Sequence, residues 1–179
     1  MQELRDMKKL TYTILLFALL CSSAFAGTPW ENYLSLPNSE NATKVLNIEY
    51  TPGTIPENYG YRSPDLAILR NQVLAGDTEA IKLTYRLIQK SDGGLLEDLI
   101  AILSSTIRAR PEFFLIEMSK INPNRDILKF ILLKPGLEYV DRRDAQEYEI
   151  KMREKALLSV SNSNVKAFKD ICLKLIKSK

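Results

Sequence analysis

The chain has 179 residues, with 25 Lys and Arg against 22 Asp and Glu, a formal charge of +3 and no histidine. Lacking histidine, it lacks the commonest general base, the commonest metal ligand and the usual switch near neutral pH. A balance this close to neutral gives no field of the strength that nucleic-acid binding uses, so nucleic acid is set aside as a partner.

The stretch ILLFALLCSSAFAG covers residues 14–27. Its uninterrupted apolar run, Ile14 to Cys21, falls well short of the about 20 residues a spanning helix needs. Lys8 and Lys9 before it, with Ala24 and Ala26 flanking Phe25 behind it, complete the three-part layout of a secretory signal. Cleavage after Ala26, a secreted or periplasmic location and no stable membrane insertion thereafter are expected. A lipid anchor through Cys21 ranks second, because bulky Leu20 stands where such a signal has a small residue. Glu3 and Asp6 place acid in a region that is normally basic, whereas MKKLTYTILL from Met7 is a cleaner signal, so translation is expected to start there.

Removal of 26 residues from 179 leaves 153, with 22 basic and 20 acidic, which suits one domain with a substantial core. Cys172 is then the sole cysteine, so export exposes the chain to oxidation without giving it an internal disulfide.

Residues 27–62 read as an irregular arm, with prolines at 29, 37, 52 and 56 and glycines at 27, 53 and 60. WENYLSL after Pro29 predicts a short helical turn, Ser39 is positioned to cap a second through ENATKVLNI, and IEYTPGTIPENYGYR reads as extended loop. Tyr50, Tyr59 and Tyr61 are the candidate interface residues, since loop aromatics supply contact area at low entropic cost. The commoner use of such an arm is to wrap the core and bury those rings.

Residues 63–179 read as a helical-hairpin domain. Ser63, Pro64, Leu66, Leu69 and Val73 predict a helix ended by Gly76. Asp77 is placed to cap the next, which is apolar on two faces (Ile81, Thr84, Tyr85 and Ile88; Ala80, Leu83 and Leu87) and so predicted central. After the break at SDGG, Leu96, Leu99, Ile100, Leu103 and Ile107 follow the spacing of a core-facing helix. Pro111 opens another through Phe114 and Met118, Asn122-Pro123 separates it from a segment over 125–133, and Pro135-Gly136 closes that. From Asp141 a charged helix shows a narrow stripe of Ala145, Tyr148, Met152 and Ala156, with Glu147 to Lys151 and Glu149 to Arg153 at ion-pair spacing on a wet surface. SNSN turns the chain into a last helix with Val165, Phe168, Cys172, Leu175 and Ile176 inward.

The expected fold is all-α, about six helices packed as antiparallel hairpins in a short α-solenoid or irregular bundle. Turns at Gly76-Asp77, Arg110-Pro111 and Ser163-Asn164 define the hairpins. The first two lie 34 residues apart, yet the tetratricopeptide pattern does not map onto the chain and the third turn is out of step. GDTEAIKLTYRLI bears a faint resemblance to the second helix of a HEAT-type hairpin, too little to assign a family.

Each reactive motif has a blander reading that outweighs it. Ser163 to Lys166 matches S-x-x-K, but neither S-D-N nor K-T-G accompanies it and Ser163 suits a helix cap. NPNRD at 122–126 opens like a calcium loop, then places Ile127 where glycine and Leu133 where glutamate belong. Glu97, Asp98, Glu147 and Glu149 keep a carboxylate-only hydrolase formally open, although solvated ion-paired faces explain them better. Cys172 reads as a core hydrophobe, and the sequon Asn41-Ala42-Thr43 decides nothing alone.

No residue is therefore nominated as catalytic, cofactor-binding or metal-ligating, and no cofactor is expected. The sequence favours an exported, non-catalytic module that binds another protein, such as an adaptor, inhibitor or immunity-type factor. The alternatives are a carboxylate-only cell-wall glycoside hydrolase and a carrier of an apolar ligand between helices.

Overall fold

A computed structural model describes residues 29–47, 64–134 and 141–178. The signal segment and the candidate tyrosines Tyr50, Tyr59 and Tyr61 lie outside the described residues, as do Ser63 and Pro135-Gly136. Within them the chain is all-α, with nine helices where about six were expected, and no strand.

Two of the nine fall in the segment read as an arm. Helix α1 (Pro29–Ser35) and helix α2 (Ser39–Leu46) are separated by the break around Pro37. The cap of α2 is Asn38, whose side-chain oxygen accepts from the Asn41 N–H at 2.8 Å, and not Ser39, one residue later. The Asn41 amide donates to the Leu36 carbonyl at 3.0 Å and so staples α1 to α2. That use, inside a helix, leaves the sequon a structural role. Lys90 reaches back to the Leu46 carbonyl at 2.7 Å and satisfies the end of α2. Trp30, Tyr33, Ala42, Val45 and Leu46 are all buried in one continuous core with the later helices.

Tyr33 is fully buried, and its hydroxyl has no hydrogen-bond partner among the described residues. Burial, with smaller pushes from Asp77 and Glu79, raises its phenol above the ordinary range. Removing an unpaired buried hydroxyl costs little, so Tyr33→Phe is expected to leave stability unchanged or raise it by about 1 kcal/mol in urea unfolding. A clear loss would mean that another group satisfies the hydroxyl.

Helix α3 (Pro64–Ala75) ends at Gly76, whose φ of +94° suits glycine. The Gly76 N–H bonds the Val73 carbonyl and the Asp77 N–H bonds the Gln72 carbonyl, the paired bonds of a Schellman end. Asp77 then caps helix α4 (Thr78–Ile88), accepting from the Glu79 and Ala80 N–H groups at 2.8 and 2.9 Å. Both apolar faces of α4 are buried, as its spacing predicts. Helix α5 (Gly93–Ala109) buries Leu99, Ile100, Leu103 and Ile107 and packs against α3 and α4.

Helix α6 (Pro111–Ile121) starts on proline and stops at left-handed Asn122 (φ +51°). The Arg110 guanidinium between α5 and α6 bonds the Ala75 carbonyl at the end of α3. A Cβ at Gly76 would meet only the far end of the flexible Arg110 side chain, so the positive φ is what calls for glycine there. Asn124 caps helix α7 (Arg125–Leu133), and its own N–H donates to the Tyr85 hydroxyl at 3.1 Å. Helix α8 (Arg143–Leu158), a 3-10 turn at Ser163–Val165 and helix α9 (Lys166–Lys177) complete the chain, with Cys172, Leu175 and Ile176 of α9 in the core.

Candidate functional site

The expected inward stripe of α8 is only half-buried at Ala145, Met152 and Ala156, and the helix buries a neighbouring face instead. Its buried residues are Glu149, Ile150, Arg153 and Leu157, while Tyr148 is 62 % exposed. The cause lies at the C-terminus of α7, where the last carbonyls have no helical partners. Arg153 donates to the Ile131, Leu132 and Lys134 carbonyls at 3.1 to 3.2 Å, and the Ser104 hydroxyl on α5 donates to Ile131 as well. Glu149 balances the buried guanidinium at 3.2 Å, and its other oxygen accepts from Arg108 of α5 at 2.6 Å. The pair that spacing assigned to a wet surface is thus buried. It rotates α8 about its axis and fixes that helix to α5 and α7 at once.

This network positions a ridge. Tyr148, Lys151, Lys155 and Leu158 follow one another at i, i+3, i+7 and i+10, spacing that keeps them on one helix face. All four are exposed, and Leu158 is 56 % so. The ridge is about 15 Å long at 1.5 Å per residue. Glu147 sits four residues before Lys151 but pairs with Arg143 at 3.4 Å, and among the described residues neither Lys151 nor Lys155 has an ion-pair partner. The two lysines are themselves i, i+4, a mildly repulsive arrangement.

The ridge belongs to a basic part of the molecule. Residues 125–134 and 141–178 hold twelve Lys or Arg and seven Asp or Glu, a balance of +5, whereas residues 29–47 and 64–124 hold eight and ten, a balance of −2. The near-neutral total conceals this asymmetry. Arg125, Lys129, Arg142 and Lys174 are also exposed, without ion pairs among the described residues.

The chemistry-bearing residues singled out from sequence occupy other roles. Both oxygens of Glu149 are engaged by arginines, which leaves it an acceptor only. Glu97 pairs with Lys134, whose ammonium also lies 5.2 Å from the Phe130 ring centroid. Burial, then the neighbouring Glu97, raises the Asp98 carboxyl above its usual range. Lys166 pairs with Asp170 at 2.7 Å. The cap at that turn is Asn162, which accepts from the Asn164 N–H, and Ser163 is not the cap. Cys172 is buried, and its thiol is pushed up to about 12 by burial, far from thiolate reactivity. NPNRD ends one helix at Asn122 and caps the next at Asn124. Among the described residues no three His, Cys, Asp or Glu side chains gather as a metal site, and no helix is long and apolar enough to cross a membrane.

Comparison with known proteins gives no match: no family model fits the chain, and no curated protein or solved structure resembles it.

Proposed function

We propose that this protein is an exported, non-catalytic module that docks another protein. The signal-like N-terminus supports export, and the ridge of α8 is the observation that carries binding. It combines exposed aromatic and aliphatic side chains with cations that have no ion pair among the described residues, on a helix whose position is fixed from beneath. An adaptor, inhibitor or immunity-type factor uses a surface of this kind without needing catalytic residues. Within this reading, α3 with α4 and α5 with α6 form two antiparallel hairpins of a short solenoid, with Arg110 tying the end of one turn to the other. Tyr50, Tyr59 and Tyr61 are its second interface element.

The test is a pull-down from the exported fraction with the full chain and with a triple variant, Tyr50→Ser, Tyr59→Ser and Tyr61→Ser. Deleting residues 27–62 is the wrong control, because it would strip Trp30, Tyr33, Val45 and Leu46 from the core. A partner held by the parent and lost by the variant is the expected result. A partner held equally by both removes the tyrosines from the interface, and no partner at all contradicts protein binding.

A further inference from the structure

We propose that the outer ridge of α8 receives an acidic protein segment, whose carboxylates pair with Lys151 and Lys155 while an apolar contact covers Tyr148; this rests on the binding reading above. Charge is the first argument. The ridge stands on the part of the molecule with a balance of +5, and its two lysines are a like-charged i, i+4 pair with no counter-ion among the described residues. A partner supplying two carboxylates relieves that repulsion and gains two ion pairs together.

Preorganisation is the second argument. Arg153 and Glu149 lock the opposite face of α8 to α5 and to the end of α7. Ordering the ridge on binding therefore costs little backbone entropy. Tyr148 then serves as the anchor, a large ring with only two side-chain torsions and a polar tip.

The acids of α8 separate a protein partner from an anionic lipid surface. Asp144 and Glu147 share the exposed side of α8, so a uniformly negative sheet would meet them as well as the lysines. A folded or extended segment can place carboxylates at Lys151 and Lys155 and avoid both acids. Insertion into lipid also uses a continuous apolar face, whereas this one holds two apolar side chains at either end of a charged centre.

The experiment replaces Tyr148 by the photo-crosslinker p-benzoylphenylalanine in the full chain, made in the cells that export it, and maps the adducts by mass spectrometry. The expected adduct is a peptide of another protein in which Asp and Glu outnumber Lys and Arg. Its yield should fall about tenfold when K151E and K155E are combined, at an unchanged melting temperature, because attraction becomes repulsion. An adduct with phospholipid, with a second copy of this chain or with a non-acidic peptide overturns the proposal, as does a yield indifferent to the charge reversal. Sedimentation with vesicles of phosphatidylglycerol provides the second arm, and binding there that K151E/K155E abolishes also overturns it. Should the pull-down above still recover its partner through the K151E/K155E chain, the ridge fails while protein binding stands; loss of partner from the parent itself removes both.

Discussion

Arg153→Ala is expected to lower the unfolding free energy by about 3–5 kcal/mol, the largest single effect of any charged residue described. Arg153 is 3 % exposed and serves three carbonyls at the end of α7 while neutralising Glu149. Alanine removes that donor from the Leu132 and Lys134 carbonyls, leaves Ile131 with the Ser104 hydroxyl, and leaves Glu149, also buried, with Arg108 alone. Urea unfolding followed by circular dichroism measures the loss. Combining Glu149→Met with Arg153→Met should cost less than the sum of the two single changes, because the second change removes a charge that the first orphaned. Additive losses would show that the two side chains do not act as a unit.

Trp30→Ala is the second large effect, expected at about 3–5 kcal/mol from lost burial and the cavity left behind. Trp30 is 6 % exposed and shares the core with Tyr33, Val45 and Leu46. The loss should appear as one cooperative transition, since α1 and α2 touch α3 and α4 respectively and have no separate core. A change below about 1 kcal/mol, or a separate early transition for the N-terminal helices, would show that residues 29–47 only rest on the domain.

Helical periodicity was legible wherever burial is decided by apolar side chains. The two-faced pattern of α4 and the stripe of α5 are where spacing places them, and Pro111, Asn122-Pro123 and Asp77 punctuate the chain as expected. The reading failed at α8, because its inward face is set by what the end of α7 needs. A pattern of apolar residues cannot show that Arg153 and Glu149 are drawn inside by open carbonyls twenty residues earlier in the chain. Once they are, Tyr148 must turn outward.

The caps show the same limit at smaller scale. Asn38 and Ser39, like Asn162 and Ser163, are adjacent residues of equal capping ability, and the choice between them rests on where the preceding segment enters. Likewise Trp30 and Tyr33 lie in a proline-rich stretch whose composition signals irregularity, and only tertiary packing sends them into the core. The ridge left a faint trace in sequence: Lys151 and Lys155 are four apart, and Arg143 competes with Lys151 for Glu147 from the other side. That competition is decided by geometry, which is why the ridge emerges from the structure and not from the spacing.

The most direct test of the account is the native mass of the untagged protein in the exported fraction. At low ionic strength a complex with a second, different polypeptide is predicted, dissociating to a single chain as salt rises past roughly 0.5 M and its ion pairs are screened. A lone chain at every ionic strength, or an assembly containing only copies of this chain, would contradict it.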